Sequence, residues 1–188
     1  MAEDYRQDVR ERAVEAAHAM LLAKGWDKVR FGAIAEAIHV SRPTLYATLG
    51  NKEGLAEALV LRETDRFLAG TAQALAAHED DPFTAIRAAV TFTLEEADRN
   101  PVLKAILTST RGGSESLLPL LTTRSGPVLQ AATEMLVAWF APRFPDAQVA
   151  DGIDALVRLV VSHLVLPAED PSGTPDRLAG LAMRYLGA

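Results

Sequence analysis

The chain has 188 residues, a net charge of −6 and no cysteine. That length suits one or two domains, and the missing thiols exclude disulfides, thiolate zinc sites and cysteine nucleophiles. No apolar run reaches the roughly 18 residues needed to span a membrane, and Met1 to Arg12 is charged where a secretory signal would be apolar, so a cytoplasmic protein is the simplest reading.

The acidity is uneven. Residues 1–66 hold ten Lys and Arg against eleven Asp and Glu, and the remainder holds nine against fourteen. A positive patch near the N-terminus must be local, built from Arg6, Arg10, Lys28, Arg30, Arg42 and Lys52. The absence of bulk positive charge argues against very tight non-specific binding to a polyanion.

Every long segment shows helical rather than alternating periodicity, which predicts an all-α fold. Val9, Ala13, Ala16, Ala17, Met20 and Leu21 mark a first helix that Gly25 ends. Ile34, Ala35 and Ile38 share one face of a short second helix. His39 and Val40 make the turn, at a position that needs φ > 0; histidine is enriched there among non-glycine residues. Ser41 caps a third helix with Arg42 and Pro43 in its first turn, where a missing N–H costs nothing. Leu45 and Leu49 share an inward face, and Arg42, Thr44, Tyr46, Ala47 and Thr48 form the other face. Two short helices with a polar, aromatic and basic outer face have the geometry of a helix-turn-helix DNA reader.

A long helix starts near Lys52, after Asn51, and carries Leu55, Leu59, Phe67, Leu68 and Leu75. Asp81-Pro82 opens a helix through Ile86, Val90, Leu94 and Ala97. Asn100-Pro101 repeats the device for a shorter helix ending near Ser109. Arg111 to Ser116 reads as a loop, and Leu117 to Leu121 as a short helical piece. Further helices are expected over Pro127–Ala141, closed by Pro142 and Pro145, then Asp146–Leu166 and Asp176–Leu186.

The segment Leu156 to Leu166 is apolar nearly all round. Such a helix must be buried on two sides. One side can face its own core, and a second copy of the chain is the economical partner for the other; a central position in a monomer core is the alternative. Val149, Ile153, Leu156, Val157, Val160 and Leu164 form one stripe, with Leu159, Val161 and Val165 outside it. Leu159, Val160, Val161, Leu164 and Val165 are the expected dimer contacts, with the facing side left open.

Gly25, Ile34-Ala35, Val40-Ser41, Thr44-Leu45-Tyr46 and Lys52-Glu53-Gly54-Leu55 together give the chain its likeness. It resembles the TetR family of bacterial transcriptional regulators, most strongly from Val14 to Leu59. The resemblance implies a three-helix DNA-binding domain over 1–50 and a helical effector-binding and dimerisation domain over 51–188. It implies a recognition helix from Arg42 to Leu49, with Tyr46 and Lys52 at backbone-contact positions and Arg42, Thr44, Ala47 and Thr48 facing double-stranded DNA. Arg30 and Ser41 complete the expected DNA-binding set. Three positions depart from the family pattern. Arg30 stands where a capping Thr or Ser is common, Gly32 where a polar or basic residue is common, and Leu49 replaces a usual Phe.

The implied function is that of a homodimeric repressor released from a near-palindromic operator by a small, mostly apolar effector. Phe67, Phe92, Leu107, Met135, Leu136 and Trp139 are the expected pocket walls, with Thr91, Thr93 or Ser109 as polar contacts. No phosphate loop, nucleophile elbow or metal dyad is present, so no catalytic residue, metal or cofactor is expected. The alternative is a helical small-molecule-binding or scaffolding protein whose helix-turn-helix no longer reads DNA. The missing basic groups at Gly32, Ala47 and Thr48 keep that alternative open.

Overall fold

Gly25 ends the first helix, α1 (Ala2–Lys24), because its φ of 80° breaks the right-handed repeat at little steric cost. The structure is a computed structural model that describes residues 2–100, 102–103, 126–145 and 148–187. The expected helix to Ser109 beyond residue 103, the loop and short piece over 111–121, and the helix start at Asp146 lie outside the described residues. Eight α-helices and no strand occur among the described residues.

The described residues form two compact units, one of 2–63 and 102–103, the other of 64–100, 126–145 and 148–187. In the first unit, Val9, Ala13, Ala17 and Leu21 recur every four residues along α1 and are buried, the stripe that helical periodicity demands. A 3-10 turn over Trp26–Lys28 leads into α2 (Phe31–Ala37). Arg30 is the N-cap of α2 but makes no side-chain cap bond. Ile34 and Ala35 bury the inner face of α2. Arg12 on α1 donates to the Ile38 carbonyl and pairs with Asp8 at 3.0 Å, which ties α1 to the end of α2.

His39 then takes φ 55°, the one positive-φ non-glycine residue among those described. The Val40 N–H reaches back to the Ala35 carbonyl at 3.0 Å and closes the turn. The third helix, α3 (Arg42–Leu49), starts at Ser41, whose Oγ accepts from the Thr44 N–H at 3.1 Å. Gly50 ends it with φ 75°. Asn51 caps α4 (Lys52–Ala76) by accepting from the Gly54 N–H at 3.0 Å. Gly54 has no room for a side chain, since a Cβ there would overlap the Leu49 carbonyl oxygen.

In the second unit Asp81 caps α5 (Pro82–Arg99), accepting from the Thr84 N–H at 3.2 Å and its hydroxyl at 2.6 Å. Those two bonds hold the Asp81 carboxyl below its ordinary pKa. Then come α6 (Gly126–Phe140), α7 (Val149–Val165) and α8 (Thr174–Leu186). The last helix begins two residues before the expected Asp176, because Pro175 is tolerated in a first turn. α5 packs most extensively on α8, and α7 on α6 and α8. Their shared core holds Ile86, Val90, Phe140, Ile153, Leu156, Val157 and Leu178. A smaller cluster joins Leu75, Ala85 and Ala89 to Met135, Leu136 and Trp139.

The apolar segment of α7 is not covered all round within its unit. Leu156 and Val157 are buried, while Val160 and Val161 are half-buried against the core. Leu159 is 38% exposed and Val165 39%. On α8, Leu181 and Tyr185 are also exposed. No helix among the described residues is long and apolar enough to cross a membrane.

Substitutions at two positions test this punctuation. His39→Val should destabilise the chain by about 1–2 kcal/mol, since a β-branched residue resists φ > 0, while His39→Gly should not. Gly54→Ala should cost about 1–3 kcal/mol, because the overlap is with backbone and cannot relax by a rotamer change. Thermal unfolding of the three variants beside the parent measures both; a Gly54→Ala melting point equal to the parent's would refute the tight approach.

Candidate nucleic-acid interface

α3 is held from behind. Leu45 is fully buried and Leu49 is 6% exposed, so the helix cannot rotate about its axis without exposing them. Arg42, Tyr46 and Ala47 are therefore left on the solvent side. Among the described residues the Arg42 guanidinium makes no ion pair; it lies across Gly32 on α2. The Tyr46 ring packs against Phe31, with centroids 4.7 Å apart and planes at 43°, and remains 51% exposed.

Thr44 and Thr48 differ from the expected open face: both are half-buried. The Thr48 hydroxyl donates to the Thr44 carbonyl at 2.9 Å, and the Thr44 hydroxyl lies 2.7 Å from Ser41 Oγ. Each hydroxyl still has acceptor capacity, but neither is a free-standing group. Ser41 itself is occupied as the cap of α3.

Lys52 occupies the first position of α4 and is half-buried. Its Nζ sits 5.3 Å from the centroid of the buried Trp26 ring, a cation–π distance. Helix start and ammonium place positive charge together, as an anion site requires. Arg30 is exposed and donates to the Asp27 carbonyl at 2.6 Å. Local spacing does not mark Trp26, Phe31 or Gly54 as builders of this surface, because their partners are non-local. Gly54 stood in the Lys52-Glu53-Gly54-Leu55 match, and Phe31 directly precedes the unusual Gly32, so only their non-local partners were hidden.

The expected effector residues fall into two groups. Phe67 and Phe92 pair with centroids 5.9 Å apart, and the Phe92 ring lies against Gly70 where a Cβ would be. Met135, Leu136 and Trp139 pack on the Leu75 cluster. Trp139 also meets Phe140 edge-on at 4.7 Å and carries the Arg143 guanidinium 3.9 Å above its ring. Leu107 and Ser109 lie outside the described residues. A separate open cleft of about 690 Å³, walled by Arg143, Phe144, Gln148 and Tyr185 among others, includes none of these residues.

Comparison with known proteins gives this geometry a family. Residues 81–184 match the family described as "Bacterial Tetracyclin repressor, C-terminal domain", and residues 13–59 match "Bacterial regulatory proteins, tetR family". The chain is similar to the HTH-type transcriptional regulator AlkX of Mycobacterium tuberculosis, with 29% identity over 185 residues covering 96% of this chain and 86% of that protein. It is also similar to the crystal structure of the TetR family repressor AlkX from a Dietzia strain, implicated in biodegradation of n-alkanes. Identity there is 28% and the TM-score 0.76, over 94% of this chain and 96% of the other. RolR in complex with resorcinol, 18% identical with a TM-score of 0.62 over 99% of this chain and 91% of its own, shares the fold. The chain belongs to the TetR family of bacterial transcriptional regulators.

Proposed function

We propose that the chain is a cytoplasmic, homodimeric repressor that holds a near-palindromic operator and is released from it by a small, mostly apolar effector. In this reading residues 1–50 read DNA and residues 51–188 bind the effector and dimerise. α3 enters the major groove with Arg42, Thr44, Tyr46, Ala47 and Thr48 toward the duplex, while Arg30, Ser41 and Lys52 hold phosphates. The observation that carries it is α3 itself, anchored by buried Leu45 and Leu49 with Arg42 and Tyr46 left exposed. Phosphate contacts set register and base-edge contacts set preference.

Two copies present two recognition helices to half-sites about one helical turn apart, roughly 34–36 Å. The exposed apolar residues Leu159 and Val165 on α7 and Leu181 on α8 support pairing through that surface, with Val160, Val161 and Leu164 at its margin. The half-buried Phe67–Phe92 pair supports an apolar effector site. The likeness to the Dietzia repressor supports a regulated process or effector of aliphatic character. Release needs an effector that prefers the state in which both helices cannot engage their half-sites. α4 is continuous from Lys52 to Ala76 and so carries a change along one element.

The net charge of −6 and the absence of basic side chains at Gly32 and Ala47 favour the second reading, a helical ligand-binding protein that no longer reads DNA. A mobility-shift assay with duplex from upstream of the chain's own gene separates the two: a retarded complex supports the repressor, and none at low salt supports the alternative. On that duplex Lys52→Ala should weaken binding about equally on matched and scrambled sequences and lower the salt slope by about one unit, as loss of one phosphate contact requires. An unchanged slope removes Lys52 from the phosphate set.

Dimerisation is best tested at Leu159, because Val161 packs against the core and a charge there would also strain the fold. Leu159→Asp should leave the melting of the protomer nearly unchanged while sedimentation shows monomer. Operator affinity should then fall by about 10²-fold or more, since two half-sites are no longer engaged together. A variant that stays dimeric would show that this surface is not the interface.

A further inference from the structure

We propose that operator preference is set partly by the first turn of α2, where Phe31 props Tyr46 and the side-chain-free Gly32 seats the Arg42 guanidinium. This rests on the assignment of α3 as the DNA-reading helix. Arg42 and Tyr46 lie four residues apart, on one face of α3. Their supports are adjacent residues of α2. The Phe31 and Tyr46 rings approach to 4.7 Å between centroids, while half of the tyrosine surface stays open. A Cβ on Gly32 would lie 2.9 Å from Arg42 Nη2 and 3.1 Å from both Cζ and Nε. The guanidinium therefore occupies the space that any other residue at 32 would fill.

Seating matters because a free arginine must surrender rotamer freedom when it docks, and an ordered one surrenders less. Glycine inside a helix is otherwise unfavourable relative to alanine. Gly32 thus works against the stability of α2, and the Arg42 guanidinium is the group that uses the space it leaves. The position gives room to a cation from the neighbouring helix. Phe31 plays the matching part for Tyr46. Both are positioning residues that act through α3.

The test uses duplexes selected by the full-length parent from a randomised library, with single-base variants of the selected duplex. Gly32→Ala should discriminate between them about tenfold less well than the parent, with a melting temperature equal or higher. In an Arg42→Ala background the same change should add nothing further. Phe31→Ala should weaken binding about as much as Tyr46→Ala, with no further loss when the two are combined, and Phe31→Tyr should keep parental affinity because it keeps the ring. Parental base preference in Gly32→Ala, or additive losses in both double mutants, overturns the proposal. A parent chain that selects no duplex overturns the DNA-reading assignment instead.

Discussion

The burial of Leu45 and Leu49 is the constraint on which the N-terminal unit depends. Each leucine removed from water contributes about 1.5–3 kcal/mol, enough for the pair to hold an eight-residue helix that could not persist alone. The same burial fixes the rotation of α3, and rotation decides which residues remain outside. Everything around the helix serves that placement. The Ser41 cap sets its start, Gly50 its end, and the absent side chain of Gly54 lets α4 begin directly against the Leu49 carbonyl.

A second device anchors α1 to α4 within this unit. Glu63 is almost fully buried, with Arg62 at 3.3 Å and His18 at 3.8 Å, and Arg62 also reaches Glu15 at 2.7 Å. A buried carboxylate is tolerable only where such partners surround it. The cluster is directional where the leucine contacts are not. It selects one register of α4 against α1, so the first residue of α4, Lys52, is held in a defined place above Trp26.

Glycines recur as seats for flat groups. Phe92 lies on Gly70, Tyr185 on Gly152, and the Arg42 guanidinium on Gly32. In each case the missing Cβ lets a planar group approach another helix at van der Waals distance, trading helix propensity for a closer contact. At Gly152 the contact helps join α7 to α8, and the Tyr185 hydroxyl adds a bond to the Gln148 carbonyl at 3.3 Å. Two turns along from Gly152, Leu159 stays exposed on the same side of α7, as Leu181 does one turn before Tyr185 on α8, and Val165 is exposed at the end of α7.

Among the described residues, the sequence by itself determined where the α-helices run, the caps at Ser41, Asn51 and Asp81, and the register of their faces. Gly25, His39, Ser41-Arg42-Pro43, Asn51 and Asp81-Pro82 act within four residues of themselves, and so do the leucine spacings that mark an inner face. The division of α3 into buried Leu45 and Leu49 and exposed Arg42 and Tyr46 was legible for that reason. What only the tertiary structure decided is which residue of one helix meets which of another. Phe31 under Tyr46, Gly32 under Arg42, Trp26 under Lys52 and the outward turn of Leu159 follow from helix crossing angles and side-chain packing between residues up to about 26 positions apart in the case of Trp26 and Lys52. Periodicity says that a helix has an inner and an outer face. It says nothing of the neighbour that each face will find, because that choice is a property of the packed whole and not of any local spacing.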